Sequence, residues 1–153
     1  MASSPVVRRA AAEDASRLAD IATAAYAVYL PRLPEGVRPA PLDADYAAAI
    51  REHEVWVALV GSSIAGYLVL IPDADSLLLE NVAVDPGSQG SGVGRMLLEL
   101  AEERAVAHGV AFIRLYTHAV MVENQRLYER LGYVQTERRR DGIFERVFYE
   151  KKL

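Results

Sequence analysis

Residues 84–94 read VDPGSQGSGVG, and glycine takes every second place from Gly90 to Gly94. Glycine loses more conformational freedom on folding than any other residue, so a cluster needs a reason. The stretch follows the apolar run LLLENVAV (77–84). It leads into VGRMLLELAEERAVAHG (93–109), where Val93, Met96, Leu97, Leu100, Ala101 and Ala105 fall on one helical stripe. Strand, glycine turn and helix start together make an anion site. The first helical N–H groups are unpaired and carry partial positive charge, and glycines remove the side chains that would hold an anion away. The alternative is a plain tight turn, for which one or two glycines suffice. Two familiar nucleotide loops fail on spacing. A P-loop ends in Gly-Lys-Ser/Thr, whereas this helix opens Gly94-Arg95-Met96. A dinucleotide fingerprint reads G-x-G-x-x-G with an acid at the next strand end. Here the pattern is Gly90-x-Gly92-x-Gly94, and the next strand ends Tyr116-Thr117-His118.

The elements that hold this loop are legible along the chain. PVVRRA (5–10) is a strand candidate, and residues 11–30 place Leu18, Ile21, Ala22, Ala25 and Tyr29 on one helical face. Residues 31–41, PRLPEGVRPAP, read as an ordered loop, because proline cannot continue a helix. Residues 42–53 predict a short helix with Asp43 as its N-cap. EVWVALV (54–60) and SIAGYLVLI (63–71) form a hairpin, and 77–84 is a third strand. AFIRLYT (111–117) is a strand and VENQRLYERLG (122–132) a helix ending at Gly132. YVQTERRR (133–140) and IFERVFYEKKL (143–153) flank Asp141-Gly142, a strong hairpin signal. This order predicts a mixed α/β fold, with helices around one sheet.

The 153 residues fit one domain spanning 1–153. A net charge of −4 argues against nucleic-acid or anionic-membrane partners. With no cysteine there is no disulfide, thiolate nucleophile or cysteine-held metal, and no metal is expected. Neither a signal-type N-terminus nor a bilayer-length apolar run is present, so a soluble, cytoplasmic protein is expected.

Gln89-x-x-Gly92-x-Gly94 directly after NVAVDP resembles the acyl-CoA loop of the GCN5-related N-acetyltransferases (GNAT). LYERLGY (127–133) is similar to that family's lYeklGF segment, and VRRAAAEDASRLADI to its opening strand and helix. The resemblance covers nearly the whole chain. It implies a single central mixed, mostly antiparallel sheet of about seven strands flanked by about four helices. It also implies acetyl-CoA as acyl donor. The pyrophosphate would lie on the backbone N–H groups of Gln89, Gly90, Ser91, Gly92, Val93, Gly94 and Arg95. The pantetheine arm would pair with Val82, Ala83 and Val84 like an added strand.

Acetyl transfer to an amine requires loss of an amine proton, stabilisation of an oxyanion and help for the departing thiolate. A lysine-like amine titrates near pH 10.4, so neutralising it at pH 7 costs about 4.6 kcal/mol. Glu80, read as a sequestered acid in a buried strand, is the candidate base. Tyr128, in LYERLGY, is the candidate acid toward the sulfur. Asn124 lies one helical turn before Tyr128. The family's coenzyme-contacting asparagine falls where Met121 stands, so Asn124 is a candidate substitute. Tyr26, Tyr29 and the 31–41 loop fall in the family's acceptor region, and His118 is a candidate substrate or relay group. Glu35, Asp43 and Asp45 are acids placed to attract a cationic amine. The expected acceptor is a primary amine of a small molecule or peptide, and the expected assembly a monomer or homodimer. A non-catalytic acyl-CoA-binding module is the other reading; it would keep Gln89 to Gly94 but not need Glu80 or Tyr128.

Overall fold

A computed structural model of the chain describes residues 4–142 and 144–153. The strands are β1 (Val6–Arg9), β2 (Glu54–Val60), β3 (Ser63–Pro72), β4 (Ser76–Val84), β5 (Phe112–His118), β6 (Val134–Asp141) and β7 (Phe144–Lys152). The α-helices are α1 (Ala15–Tyr26), α2 (Tyr46–Glu52), α3 (Val93–Ala107) and α4 (Val122–Arg130). The strands form one sheet in the order β1-β2-β3-β4-β5-β7-β6. All its pairs are antiparallel except β4 with β5. Among the described residues no helix is long and apolar enough to cross a membrane.

Both faces of the sheet are covered, which is why β3 is buried almost throughout. Leu68 and Leu70 of β3 join a core with α3 and α4, which contribute Leu97, Ala101 and Tyr128. The alternate residues Tyr67 and Val69 join a second core with Leu18 and Ile21 of α1 and Tyr46 of α2.

Three local expectations are corrected. Helix α1 ends at Tyr26, and 27–32 tighten into 3₁₀ turns that carry Pro31. Helix α2 starts at Tyr46 rather than near residue 42. Its N-cap is Asp45, whose carboxylate accepts the Ala48 N–H at 3.0 Å. Asp43 faces Arg38 at 3.3 Å instead. The β6–β7 hairpin forms, with Asp141 opposite Phe144. Ile143, the first residue of the expected last strand, lies outside the described residues.

Strand β4 carries the feature that shapes the site. Asn81 lies opposite Val69 and Leu79 opposite Leu70, so Glu80 is one residue in excess, a β-bulge. The bulge reverses the alternation. Leu77 and Leu79 pack toward α3 before it, Val82 and Val84 after it. Ala83 packs toward α1. Beyond the bulge β4 also parts from β5: their pairing covers only Ser76–Leu78 with Phe112–Arg114. Strand β5 stays paired to β7 through His118, leaving a wedge between the C-terminal halves of β4 and β5.

At the end of that wedge α3 approaches β3 closely, and Gly66 permits it. A Cβ at residue 66 would lie 2.9 Å from the Ala83 carbonyl oxygen and 2.9 Å from Val93 Cγ1. The carbonyl belongs to the β3–β4 ladder and cannot yield, so Gly66→Ala should cost about 1–3 kcal/mol as overpacking. Urea denaturation checks this; an unchanged midpoint would show that the helix start is not held this tightly.

Candidate functional site

The wedge ends at the glycine loop. Gly90 and Gly92 sit at φ +83° and +88°, and Gly92 is the N-cap of α3. That left-handed conformation favours glycine, and a Cβ at either position would meet nothing within 4 Å. The glycines are therefore set by backbone conformation and border open space. Met96 closes the first intrahelical bond, to Gly92 O at 3.0 Å, so the N–H groups of Gly92, Val93, Gly94 and Arg95 precede the ladder. Gln89 and Ser91 differ from the sequence expectation. Their N–H groups turn back to Pro86 O and Ser88 O at 3.4 and 3.2 Å. The loop is anchored from α1: Arg17 donates to Ile64 O and to Asp85 Oδ2 at 3.0 and 2.9 Å, while the Asp85 N–H bonds Ala65 O at 2.8 Å. Val82, Ala83 and Val84 pair with Leu68, Tyr67 and Gly66 on the β3 side, leaving their other edge toward the wedge.

Glu80 is exposed, not sequestered. The flanking apolar residues suggested burial, but the bulge turns this side chain out of the alternation. It lines a cavity of about 120 Å³ together with Asn81, its bulge neighbour. Tyr26 and the loop residues Pro39, Ala40 and Pro41 form one wall. Tyr116, His118, Met121, Phe144 and Arg146 form the other.

Behind Glu80 lies a buried polar triangle that the sequence did not announce. Tyr67 O–H donates to Asn81 Oδ1 at 3.1 Å, and Asn81 Nδ2 donates to the Tyr46 oxygen at 3.1 Å. Tyr46 O–H donates to Pro41 O at 2.7 Å, and the two phenol oxygens lie 2.9 Å apart. The triangle ties the 31–41 loop and α2 to the bulge. Burial pushes the phenols of Tyr46 and Tyr67 up, so both remain donors at neutral pH.

Tyr128 is 6% exposed, its ring edge-on to Tyr133 at 5.8 Å and tilted to Tyr149 at 6.1 Å. Burial, then the Tyr29 phenol, pushes its titration far up. Met121 is 4% exposed; its sulfur accepts from Thr117 Oγ1 at 3.5 Å and Asn124 Nδ2 at 3.8 Å. Asn124, the candidate substitute, thus donates to Met121 itself. It is half-buried and does not line the cavity, which Met121 does.

Tyr29 also stays off the cavity wall; its ring lies 6.2 Å from Tyr26 and 5.3 Å from the Arg32 guanidinium. His118 borders this cavity and a second, flanked by Arg32, Glu35 and Arg140. Its Nδ1 accepts the Val120 N–H at 3.2 Å, so the neutral ring carries its proton on Nε2. That Nε2 is buried without a partner among the described residues. Burial lowers the histidine's titration, Glu145 opposing and Arg146 reinforcing the shift. Asp43 and Asp45 are engaged with Arg38 and the α2 cap, and Glu35 borders the second cavity.

The model of the Acetyltransferase (GNAT) family matches residues 18–133. Mycothiol acetyltransferase of Beutenbergia cavernae is 33% identical over 94 residues, 55% of this chain and 32% of that protein. The ribosomal protein bS18-alanine N-acetyltransferase of Salmonella typhimurium is 39% identical over 67 residues, 44% of this chain and 45% of that protein. The chain thus spans less than half the length of these curated relatives. PaiA N-acetyltransferase from Thermoplasma acidophilum, crystallised with coenzyme A, shares the fold at TM-score 0.84 and 21% identity, covering 98% of this chain and 99% of that one. The ribosomal-protein-S18-alanine N-acetyltransferase of Escherichia coli does so at 0.77 and 22%, covering 97% and 93%.

The buried triangle is testable by itself. Tyr67→Phe keeps the ring but leaves Asn81 Oδ1 without its donor. A loss of about 1–3 kcal/mol in urea denaturation is expected; no loss would mean the amide finds another partner.

Proposed function

Because the chain belongs to the acetyltransferase (GNAT) family, we propose that it moves the acetyl group of acetyl-CoA directly to a primary amine of a small molecule or peptide. The observation that carries this reading is the wedge. On one side it ends at the unladdered N–H groups of Gly92 to Arg95, and on the other it adjoins the cavity that Glu80 lines. A chain-like donor with an anionic pyrophosphate fits the first, with its arm along the free edge of Val82–Val84. An amine fits the second.

In this reading the amine nitrogen attacks the thioester carbonyl carbon and passes its proton to Glu80, directly or through water. The carbon–sulfur bond then breaks. Exposure of Glu80 suits turnover, because the proton passes on to bulk water. Tyr128 is held protonated by burial, so it acts as a hydrogen-bond donor to the sulfur as charge develops there. A thiol titrates near pH 8.5, so the thiolate leaves largely without a full proton transfer. The direct test is free-thiol release from acetyl-CoA across a panel of amines. Slow hydrolysis that no amine stimulates would leave a binding module instead.

Two variants separate the donor and acceptor sides. Ser91 is an exposed loop residue, so Ser91→Asp brings a negative charge to the loop without the backbone strain of a change at Gly92. Acetyl-CoA affinity should fall on the order of tenfold or more with little change in melting temperature. Calorimetry showing wild-type affinity would remove the pyrophosphate from this loop. Glu80→Gln should slow turnover roughly a hundredfold near neutral pH, with partial recovery as rising pH deprotonates the amine unaided. Acetyl-CoA affinity should hold. An equal loss at every pH would make Glu80 structural.

A further inference from the structure

The charged lining of the cavity is a single pair. Among the described residues, Glu80 on β4 and Arg146 on β7 are the only charged side chains on its walls. The Arg146 guanidinium lies 5.0 Å from the Tyr116 ring centre and 5.1 Å from that of Phe144, both cavity-lining rings. Across the β5–β7 ladder Arg146 is the register partner of His118, whose buried Nε2–H has no acceptor among the described residues. The cavity lining therefore offers one carboxylate and one guanidinium. Pro39, Pro41, Ala44 and Met121 are among its apolar lining.

We infer that the acceptor is a compact amino carboxylate: its ammonium faces Glu80, its carboxylate is read by Arg146, and its small apolar side chain packs on the apolar lining. This rests on the acetyl-transfer reading and specifies its substrate. A guanidinium has five N–H donors, so it takes a carboxylate alongside its other contacts. A small side chain is favoured, since this cavity of about 120 Å³ is smaller than the apolar cavity of about 150 Å³ that holds a benzene. A polyamine is disfavoured because its second ammonium meets Arg146. The same amine without its carboxylate forfeits the charge-assisted hydrogen bonds that a guanidinium makes to a carboxylate.

The test pairs L-valine, L-leucine and L-phenylalanine each with the amine that lacks its carboxylate, and adds spermidine. Thiol release gives kcat/KM. The melting temperature of the coenzyme A-loaded protein reports acceptor binding separately. At least one amino acid should exceed its decarboxylated partner by about tenfold or more, and spermidine by at least as much. Arg146→Gln should reduce kcat/KM for that amino acid at least about tenfold more than for the amine, chiefly through KM. Arg146→Lys should restore part of the preference. Wild-type protein that acetylates the amines or spermidine as well as the amino acids overturns the proposal, and so does an Arg146→Gln variant that loses both members of a pair equally. If nothing is acetylated but amino acids alone raise the melting temperature, the transfer reading fails and the cavity stands as an amino-carboxylate binding site. Acetylation without preference for the carboxylate does the reverse.

Discussion

The extra residue at Glu80 governs most of what lies downstream of it on β4. A regular strand would keep one alternation from Ser76 to Val84, and Asn81 would then point toward α3 with Leu77 and Leu79. The bulge changes this, so that Val82 and Val84 take the α3 side and Asn81 reaches Tyr67 and Tyr46. It also bends the strand away from β5, ending their pairing at Leu78. An opening between parallel strands would normally expose backbone groups and invite another strand to pair. Here its far end is closed by the start of α3, pressed onto Gly66, and by Arg17 holding Asp85.

What was legible in the sequence is what is local. The order of strands and helices follows from periodicity and turn residues, and all eleven strands and α-helices of the described residues were found. The glycine loop was readable because left-handed backbone selects glycine at Gly90 and Gly92 whatever the rest of the chain does. Glu80 was found as a candidate but with the wrong environment. Its exposure depends on how β4 registers against β3, and no pattern within residues 77–84 encodes that. The α2 cap failed for a similar reason. Asp43 and Asp45 both satisfy the capping preference, and the tertiary position of Arg38 takes up the first.

The polar interior was the least visible part. Tyr46, Tyr67 and Asn81 lie on three different elements, and each looks like an ordinary member of its own segment. The one available signal was chemical: an asparagine on a strand covered on both faces must find partners. Met121 is another such case. The sequence marks it as a departure from the family's pattern. The fold shows that its sulfur accepts hydrogen bonds from Thr117 and Asn124 while its side chain lines the cavity.

The walls of that cavity are drawn from the 39–41 loop, the end of β5, the start of α4 and the start of β7, whereas the glycine loop belongs to the β4–α3 connection. The two meet at Glu80 and Asn81. A change of residue at Pro39, Met121 or Phe144 reshapes what the cavity admits and leaves the backbone of residues 89–95 untouched. The architecture is thereby modular under mutation: the cavity lining can drift over generations while the glycine loop is inherited intact.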